Sequence, residues 1–418
     1  MNKMKSFYDS ELCARCKGKG LCGKPCRILN KIEGYSPKMK LHFSGSSPPE
    51  IFVGRHNYPD INAGILSPET YGEKEDISLP EIWHEKNFSI PDILSRRASL
   101  IYSRFKTSVK SSGNDRFKSV MQEVSMADKS VSMEVFLKKA PKMTINFNQE
   151  VPLIGNPAPL KSITLEENPK ILKKVDYLVS DNNAKATTAM GELYGGNIKI
   201  SNISKIFSAG LLGLGYRRKL VPTRWAITAV DDTISKDLLK KIRYYPEISE
   251  ILVFNSEYLG NHYEFILLPD KFGFEVIEAK MHGSVWNPFS LETLFMMDYE
   301  GFFGRKQYAS NVTGAYYANR LALCEYFEKI KRQASCLVMR EARPEYYAPM
   351  GVGILREASR QAFKNSPEKF SSLSEAIEKI KTRMKIPPNE FINRSILLRE
   401  RGKQKRLADF EQKKNLYT

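Results

Sequence analysis

Four cysteines close together constrain this chain more than any other feature. In the segment CARCKGKGLCGKPC, Cys13, Cys16, Cys22 and Cys26 are spaced C-x2-C-x5-C-x3-C. Soft thiolate ligands at such spacing suit tetrahedral Zn²⁺, and Gly18, Gly20, Gly23 and Pro25 provide the turns that aim them at one centre. A four-thiolate shell leaves no open coordination position, so the expected zinc is structural, one per chain. Its binding supplies much of the folding free energy of a module spanning residues 1–32, which has no apolar core of its own. Arg15, Lys17, Lys19, Lys24 and Arg27 lie among or beside the ligands. They leave a basic face that either contacts phosphates or neutralises the thiolates and docks on the rest of the protein.

The remainder is long enough to bury a large core. Over 418 residues, 65 Lys and Arg stand against 47 Asp and Glu, a formal charge of +18. Such an excess concentrates polyanions around a protein, which makes nucleic acid the first partner to expect and does not distinguish DNA from RNA. No run of eighteen or more apolar residues and no basic amphipathic N-terminal helix occurs, so no membrane partner is expected. The opening MNKMKSFYDSELC has no apolar signal region, and six cysteines in so long a chain are no disulfide framework. A reducing, cytoplasmic setting is expected.

The pattern predicts an α+β fold. After the zinc module, residues 33–288 read as a central mixed domain with an antiparallel sheet. It has short strands at 51–53 and 61–65, and a helix from Ile90 whose stripe Leu94, Ala98, Ile101 and Phe105 faces a core. Helical stretches are expected at 116–123 and 131–139. Residues 225–230 read as a β-prone run ending in the turn Asp231-Asp232, after which Ser235 caps a helix to Ile242. Strands at 251–254, 263–268 and 274–279 form an antiparallel meander. Residues 289–398 read as a mainly helical domain, with helices at 291–297, 313–333, 352–363 and around Ser374 to Met384. Residues 399–418 read as an exposed basic tail.

In GYRRKLVPTRW, Arg217, Arg218, Lys219 and Arg224 alternate with Tyr216 and Trp225, a mixture suited to phosphate contact and base stacking, or to a core tryptophan ringed by solvated arginines. RRASLIYSR offers Arg96 and Arg97 as a second candidate, or a charged helix face. For metal-dependent nuclease chemistry, LPDKFGFEVIEAK superficially fits a Pro-Asp…Glu-x-Lys pattern. Asp270, however, would lie on the order of 16 Å from Glu278 at ~3.3 Å per residue. A turn centred near Lys271 instead sets Glu264 opposite Glu278 and His262 opposite Lys280 on one face. With Asp231 and Asp232 nearby, these are the best catalytic candidates, although the same pattern describes the wet face of an ordinary sheet. Phosphate-binding glycine loops and a G-x-S-x-G elbow are absent, which argues against ATP-driven, hydride and serine-hydrolase chemistry.

Blocks spread along the chain, from the four-cysteine module through FVGRHNYPDINAG, SRRASLIYSR, RRKLVPTRWAITAVDDTISK, GSVWNP, GAYYANRLALCEYFEKIKRQA and RPEYYAPMGV, together resemble the archaeal Nre family of DNA repair proteins. The resemblance implies a role in DNA damage repair, an N-terminal zinc finger and a C-terminal motif that binds the replication sliding clamp, PCNA. It supplies no catalytic mechanism. The clamp motif has the form Gln-x-x-aliphatic-x-x-aromatic-aromatic. Gln404, Leu407 and Phe410 match it, whereas Glu411 stands where the second aromatic belongs. The leading expectation is a DNA-binding repair factor recruited by the clamp; a nuclease acting on damaged DNA and an RNA-binding protein are the alternatives.

Overall fold

A computed structural model describes residues 40–110, 115–141 and 151–401. The four zinc-module cysteines and the clamp motif at Gln404, Leu407 and Phe410 lie outside the described residues. The described chain is mixed α and β, built around two six-stranded sheets.

The first sheet combines β1 (His42–Ser47), β2 (Ile51–Val53), β3 (Asp60–Ser67), β4 (Ile101–Ser108), β5 (Val131–Leu137) and β6 (Asn156–Leu165) in the order β1-β5-β6-β4-β3-β2. Only the β4–β6 pair is parallel. Strand alternation sends Val53, Ile61, Ala63, Phe105, Val135 and Ala158 to one face, where they share a core. Between β3 and β4 run α1 (Glu75–Ser78), α2 (Pro80–Glu85) and α3 (Ile90–Ala98). A reciprocal cap starts α3: Asp92 N–H donates to Ser89 Oγ, and Ser89 N–H donates to the Asp92 carboxylate at 2.9 Å. The helix ends at Ala98, earlier than its stripe predicts, because Ile101 and Phe105 belong to β4. Residues four apart also share one face of a strand, so the spacing did not discriminate. The segment 131–139, expected as helix, is β5; Val131, Met133, Val135 and Leu137 alternate inward with period two.

Helices α4 (Arg116–Met126), α5 (Lys173–Ser180), α6 (Ala186–Gly195) and α7 (Ile200–Ser208) contribute to this core, and α8 (Thr223–Ile242) completes it. The expected strand at 225–230 and turn at Asp231-Asp232 are both inside α8. This helix is wedged between two cores: Val230 and Ile234 enter the first, Leu239 and Ile242 the second. Burial on more than one side erases the amphipathic stripe that would have revealed it.

The second sheet contains β7 (Ile251–Tyr258), β8 (Asn261–Leu268), β9 (Gly273–Lys280), β10 (Leu294–Glu300), β11 (Ser335–Ala342) and β12 (Glu368–Phe370) in the order β10-β9-β11-β8-β7-β12. Both faces are covered, which explains apolar runs such as FILL and SCLVM. Phe254, Phe265, Phe274 and Val338 share a core with Leu323 and Phe327 of α9 (Gly314–Ile330) and Ile354 and Ala358 of α10 (Val352–Lys364). Ile266, Ile277, Leu337 and Met339 meet Ile380, Phe391 and Leu397 from α11 (Leu373–Lys381), α12 (Asn389–Ile392) and α13 (Ile396–Arg401). The expected helix at 291–297 runs into β10. The expected boundary at 288/289 therefore cuts through one sheet; the region beyond it carries more helix than strand, but three of that sheet's strands come from it, so it is no separate helical unit. The first residues of the expected tail, 399–401, are the end of α13.

Charged groups buried between the cores also join the elements. Arg356 of α10 grips Asp231 of α8 through two 3.0 Å bonds, and Arg320 of α9 bonds Asp232 and, at 3.0 Å, Glu300 of β10. No helix among the described residues is long and apolar enough to cross a membrane.

Candidate nucleic-acid interface

The face of the first sheet turned away from its core carries Phe52, Asn62, Tyr102, Arg104, Lys106 and Pro157, because those residues alternate with the buried ones. Over it lies a cavity of about 360 Å³ lined by Phe52, Arg55, His56, Arg104, Ile154 and Arg224, among others. Four segments far apart in sequence build it, and local chemistry explains their meeting. Val53 N–H of β2 donates to Thr223 Oγ1 at the start of α8 (2.9 Å), which sets Arg224 beside Arg55 and His56. Glycine is required at position 64, where a Cβ would lie 2.2 Å from the Ser103 carbonyl oxygen of β4. Gly155 has φ +92 and the same constraint against Leu100 O at 2.4 Å, so the entry to β6 lies tight against the strand that supplies Arg104. Tyr102 is buried in the floor, edge-on to Phe52 at 5.5 Å, and its hydroxyl donates to Phe52 O; burial pushes its pKa up.

Of the expected DNA contacts, Arg224 lines this cavity and Trp225 stands beside it, 44% exposed, its ring 5.4 Å from that of Tyr58. Trp225 is thus no core residue. Arg217 is exposed and lies over the exposed Tyr216 ring at 5.2 Å, and Lys219 is exposed. Three others are committed to the fold. Arg218 donates to Gly213 O, Val179 O and Asp181 O at 2.8, 2.7 and 2.6 Å, pinning the loop before α8. Arg97, 2% exposed, bonds Glu50 and Leu153 O, and Arg96 bonds Asp76 and covers the Phe88 ring. Arg55, His56, Arg104 and Lys106 are the residues that sequence reasoning passed over. Arg104 and Lys106 alternate with buried Ser103 and Phe105, a strand signal concealed by reading the segment as helix.

The catalytic constellation is not assembled. Strands β8 and β9 are not neighbours, because β11 lies between them, antiparallel to one and parallel to the other. Glu264 aligns with Met339 and Ile277, whereas Glu278 aligns with Arg340 and Tyr263 one position on, so the two carboxylates leave opposite faces. No turn at Lys271 could have been a hairpin. Glu264 is fully buried and accepts from Arg383 Nε and Nη2 at 2.8 and 2.9 Å, while Glu278 is paired with Arg340. Glu278 and Lys280 both border a cleft of about 70 Å³, away from Glu264, with Arg340, Trp286, Asn311 and Thr313. Asp231 and Asp232 are held by Arg356 and Arg320. Among the described residues, no three His, Cys, Asp or Glu side chains are grouped to hold a metal ion.

His262 has a structural role instead. Its Nε2 is 3.0 Å from Glu264 and its Nδ1 3.5 Å from Glu257. Burial opposes its protonation, but bonding to Glu257 and Glu264 outweighs that and holds its pKa above the ordinary 6.5. A raised folded-state pKa contributes stability that is complete below the unfolded value and is lost as pH rises through the folded one. Stability to urea should therefore decline as pH rises above 6.5, and His262→Gln should flatten that part of the profile. An unchanged slope in the variant would assign the decline to another group.

Comparison with known proteins places the chain in a family. The model of the archaeal Nre N-terminal region matches residues 21–287 and that of the archaeal Nre C-terminal region matches residues 300–410. The chain is 35% identical to DNA repair protein NreB of Archaeoglobus fulgidus over 401 residues, covering 95% of this chain and 99% of that protein. It is 34% identical to DNA repair protein NreA of Haloferax volcanii over 392 residues, 90% of this chain and 93% of that protein. Against NreA of Archaeoglobus fulgidus it is 37% identical over 372 residues, 87% and 92% of the two. No solved structure matches. With family models matched along both halves and relatives aligned over nearly its whole length, this chain belongs to the archaeal Nre family.

Proposed function

We propose that this chain serves DNA repair, as the names of its relatives suggest, by binding DNA across the cationic groove of the first sheet. The observation that carries the reading is the groove itself: Arg55, Arg104 and Arg224 come from three separate segments to one cavity, and the exposed Trp225 next to Arg224 packs at a tilt against Tyr58. Arginine forks position phosphates, and exposed aromatic faces accept unstacked bases. The same reading keeps one structural zinc on Cys13, Cys16, Cys22 and Cys26, whose all-thiolate donor set suits that metal. It also keeps recruitment by the sliding clamp through Gln404, Leu407 and Phe410. Fluorescence anisotropy with labelled DNA over a range of salt tests the groove. Each neutralised phosphate contributes about 0.7 to 0.9 to the slope of log affinity against log salt, so Arg55→Ala, Arg104→Ala and Arg224→Ala combined should reduce the slope by about 2 to 3. An unchanged slope would place the phosphates elsewhere.

A further inference from the structure

We infer that the cavity between β2, β4 and β6 is a nucleobase pocket, which makes unpaired DNA the preferred ligand of this protein. The inference rests on the groove reading and adds a substrate class to it. At about 360 Å³ the cavity falls within the range of about 300 to 1,000 Å³ common for small-ligand sites, far more than phosphate contacts along a backbone require. Its composition is divided in the way a nucleotide is divided. Phe52, Tyr102, Ile154 and Pro157 give it apolar and aromatic walls against which a flat base can lie, while Arg55 and Arg104 are exposed and have no side-chain partner among the described residues. Asn62 reaches the same cavity from β3, and its amide, likewise without a partner among the described residues, offers both a donor and an acceptor to a base edge.

A paired base cannot use such a site, because its faces are stacked and its edge is occupied. Only a single strand, or a duplex containing an unpaired nucleotide that can swing out, presents a base to the cavity while the flanking phosphates remain near the arginines. Damaged or mismatched DNA lowers the cost of that extrusion, which connects the pocket to repair without requiring any chemistry from the protein.

The test compares three labelled DNAs at one salt concentration: a fully paired duplex, the same duplex with one unpaired nucleotide, and the single strand. The unpaired forms should bind about tenfold more tightly than the duplex, the effect of one stacked base. A 2-aminopurine at the unpaired position should change its fluorescence on binding. Asn62→Phe narrows the cavity and should remove the preference, so that the unpaired forms bind no more tightly than the duplex in the same variant. Ile154→Trp, placed on a different wall, should do the same, and circular dichroism on both variants shows whether they fold. Salt-dependent binding of all three DNAs with equal affinity would overturn the pocket and leave the groove standing. A preference that survives in both folded variants would also overturn it. No binding to any of the three would remove the groove and the pocket together.

Discussion

Replacing Arg356 by alanine should destabilise the protein by about 3–5 kcal/mol, the usual consequence of removing one partner from a buried ion pair. Arg356 is 2% exposed and Asp231 is fully buried, and their bonds cross from α10 of the second core to α8, which both cores share. Burial pushes the Asp231 carboxyl above its ordinary 3.8, even with the arginine present. Without the arginine that rise is larger. A carboxyl with a raised folded-state pKa binds a proton in the native state that the unfolded chain has released, so stability falls with increasing pH across that window. The defect should therefore be largest near neutrality and shrink toward pH 4, and Asp231→Asn in the Arg356→Ala background should recover part of it. Urea unfolding at several pH values measures this. A loss below about 1 kcal/mol at neutral pH, or one that does not vary with pH, would show that the pair does not hold the cores together.

Elements with a single buried face were legible in the sequence. The strands at 51–53 and 61–65 and the helices beginning at Ile90 and Arg116 were predicted near their observed positions, because alternation or a 3.6-residue stripe survives wherever one face is less buried; α9, buried on all sides from Gly314 to Cys324, was read from its length as an uninterrupted segment. Segments buried on both sides lost that signal. Helix α8 is the example: it read as a strand and a turn. Single-sided burial did not suffice everywhere, since β5 and the partly exposed edge strand β10 lie in segments that read as helix. Non-local order was invisible for a different reason. The strand sequence of β7, β8 and β9 suggests a meander, and nothing in it announces that β11, more than fifty residues later, inserts between β8 and β9. That insertion dissolved the expected pairing of Glu264 with Glu278.

The site was partly legible. Alternating basic and aromatic residues drew attention to Arg224, which lines the groove, and to its neighbour Trp225, but could not separate them from Arg218, whose donors are taken by the carbonyl groups of Gly213, Val179 and Asp181. Arg97 was misjudged for a related reason: a charge on a helix reads as solvated unless a buried partner such as Glu50, 47 residues away, is known. Arg55 and Arg104 acquire their significance only when β3, pairing with β2 on one side and β4 on the other, brings them to one cavity. Burial and partnership are properties of the fold, and they decide which members of a basic cluster remain available to a ligand.

Reversing Arg55 and Arg104, which have no side-chain partner among the described residues, should have the largest effect on function. Arg55→Glu with Arg104→Glu removes two phosphate contacts and sets two carboxylates against the DNA backbone, and like charges brought together at an interface cost several kcal/mol. DNA affinity at moderate salt should fall at least about a hundredfold. Both side chains are exposed and carry no internal ion pair among the described residues, so thermal stability should remain near that of the parent protein. Net charge alone also affects binding to a polyanion, so the comparison must hold it fixed. Lys364→Glu with Lys379→Glu alters two exposed lysines on helices that cover the second sheet and changes the total charge equally. If the groove is the binding surface, this control should lose no more than a few-fold. Equal losses in the two double variants would mean that the DNA responds to overall charge rather than to the groove, and an undiminished affinity in the first would place the interface on another surface of the molecule.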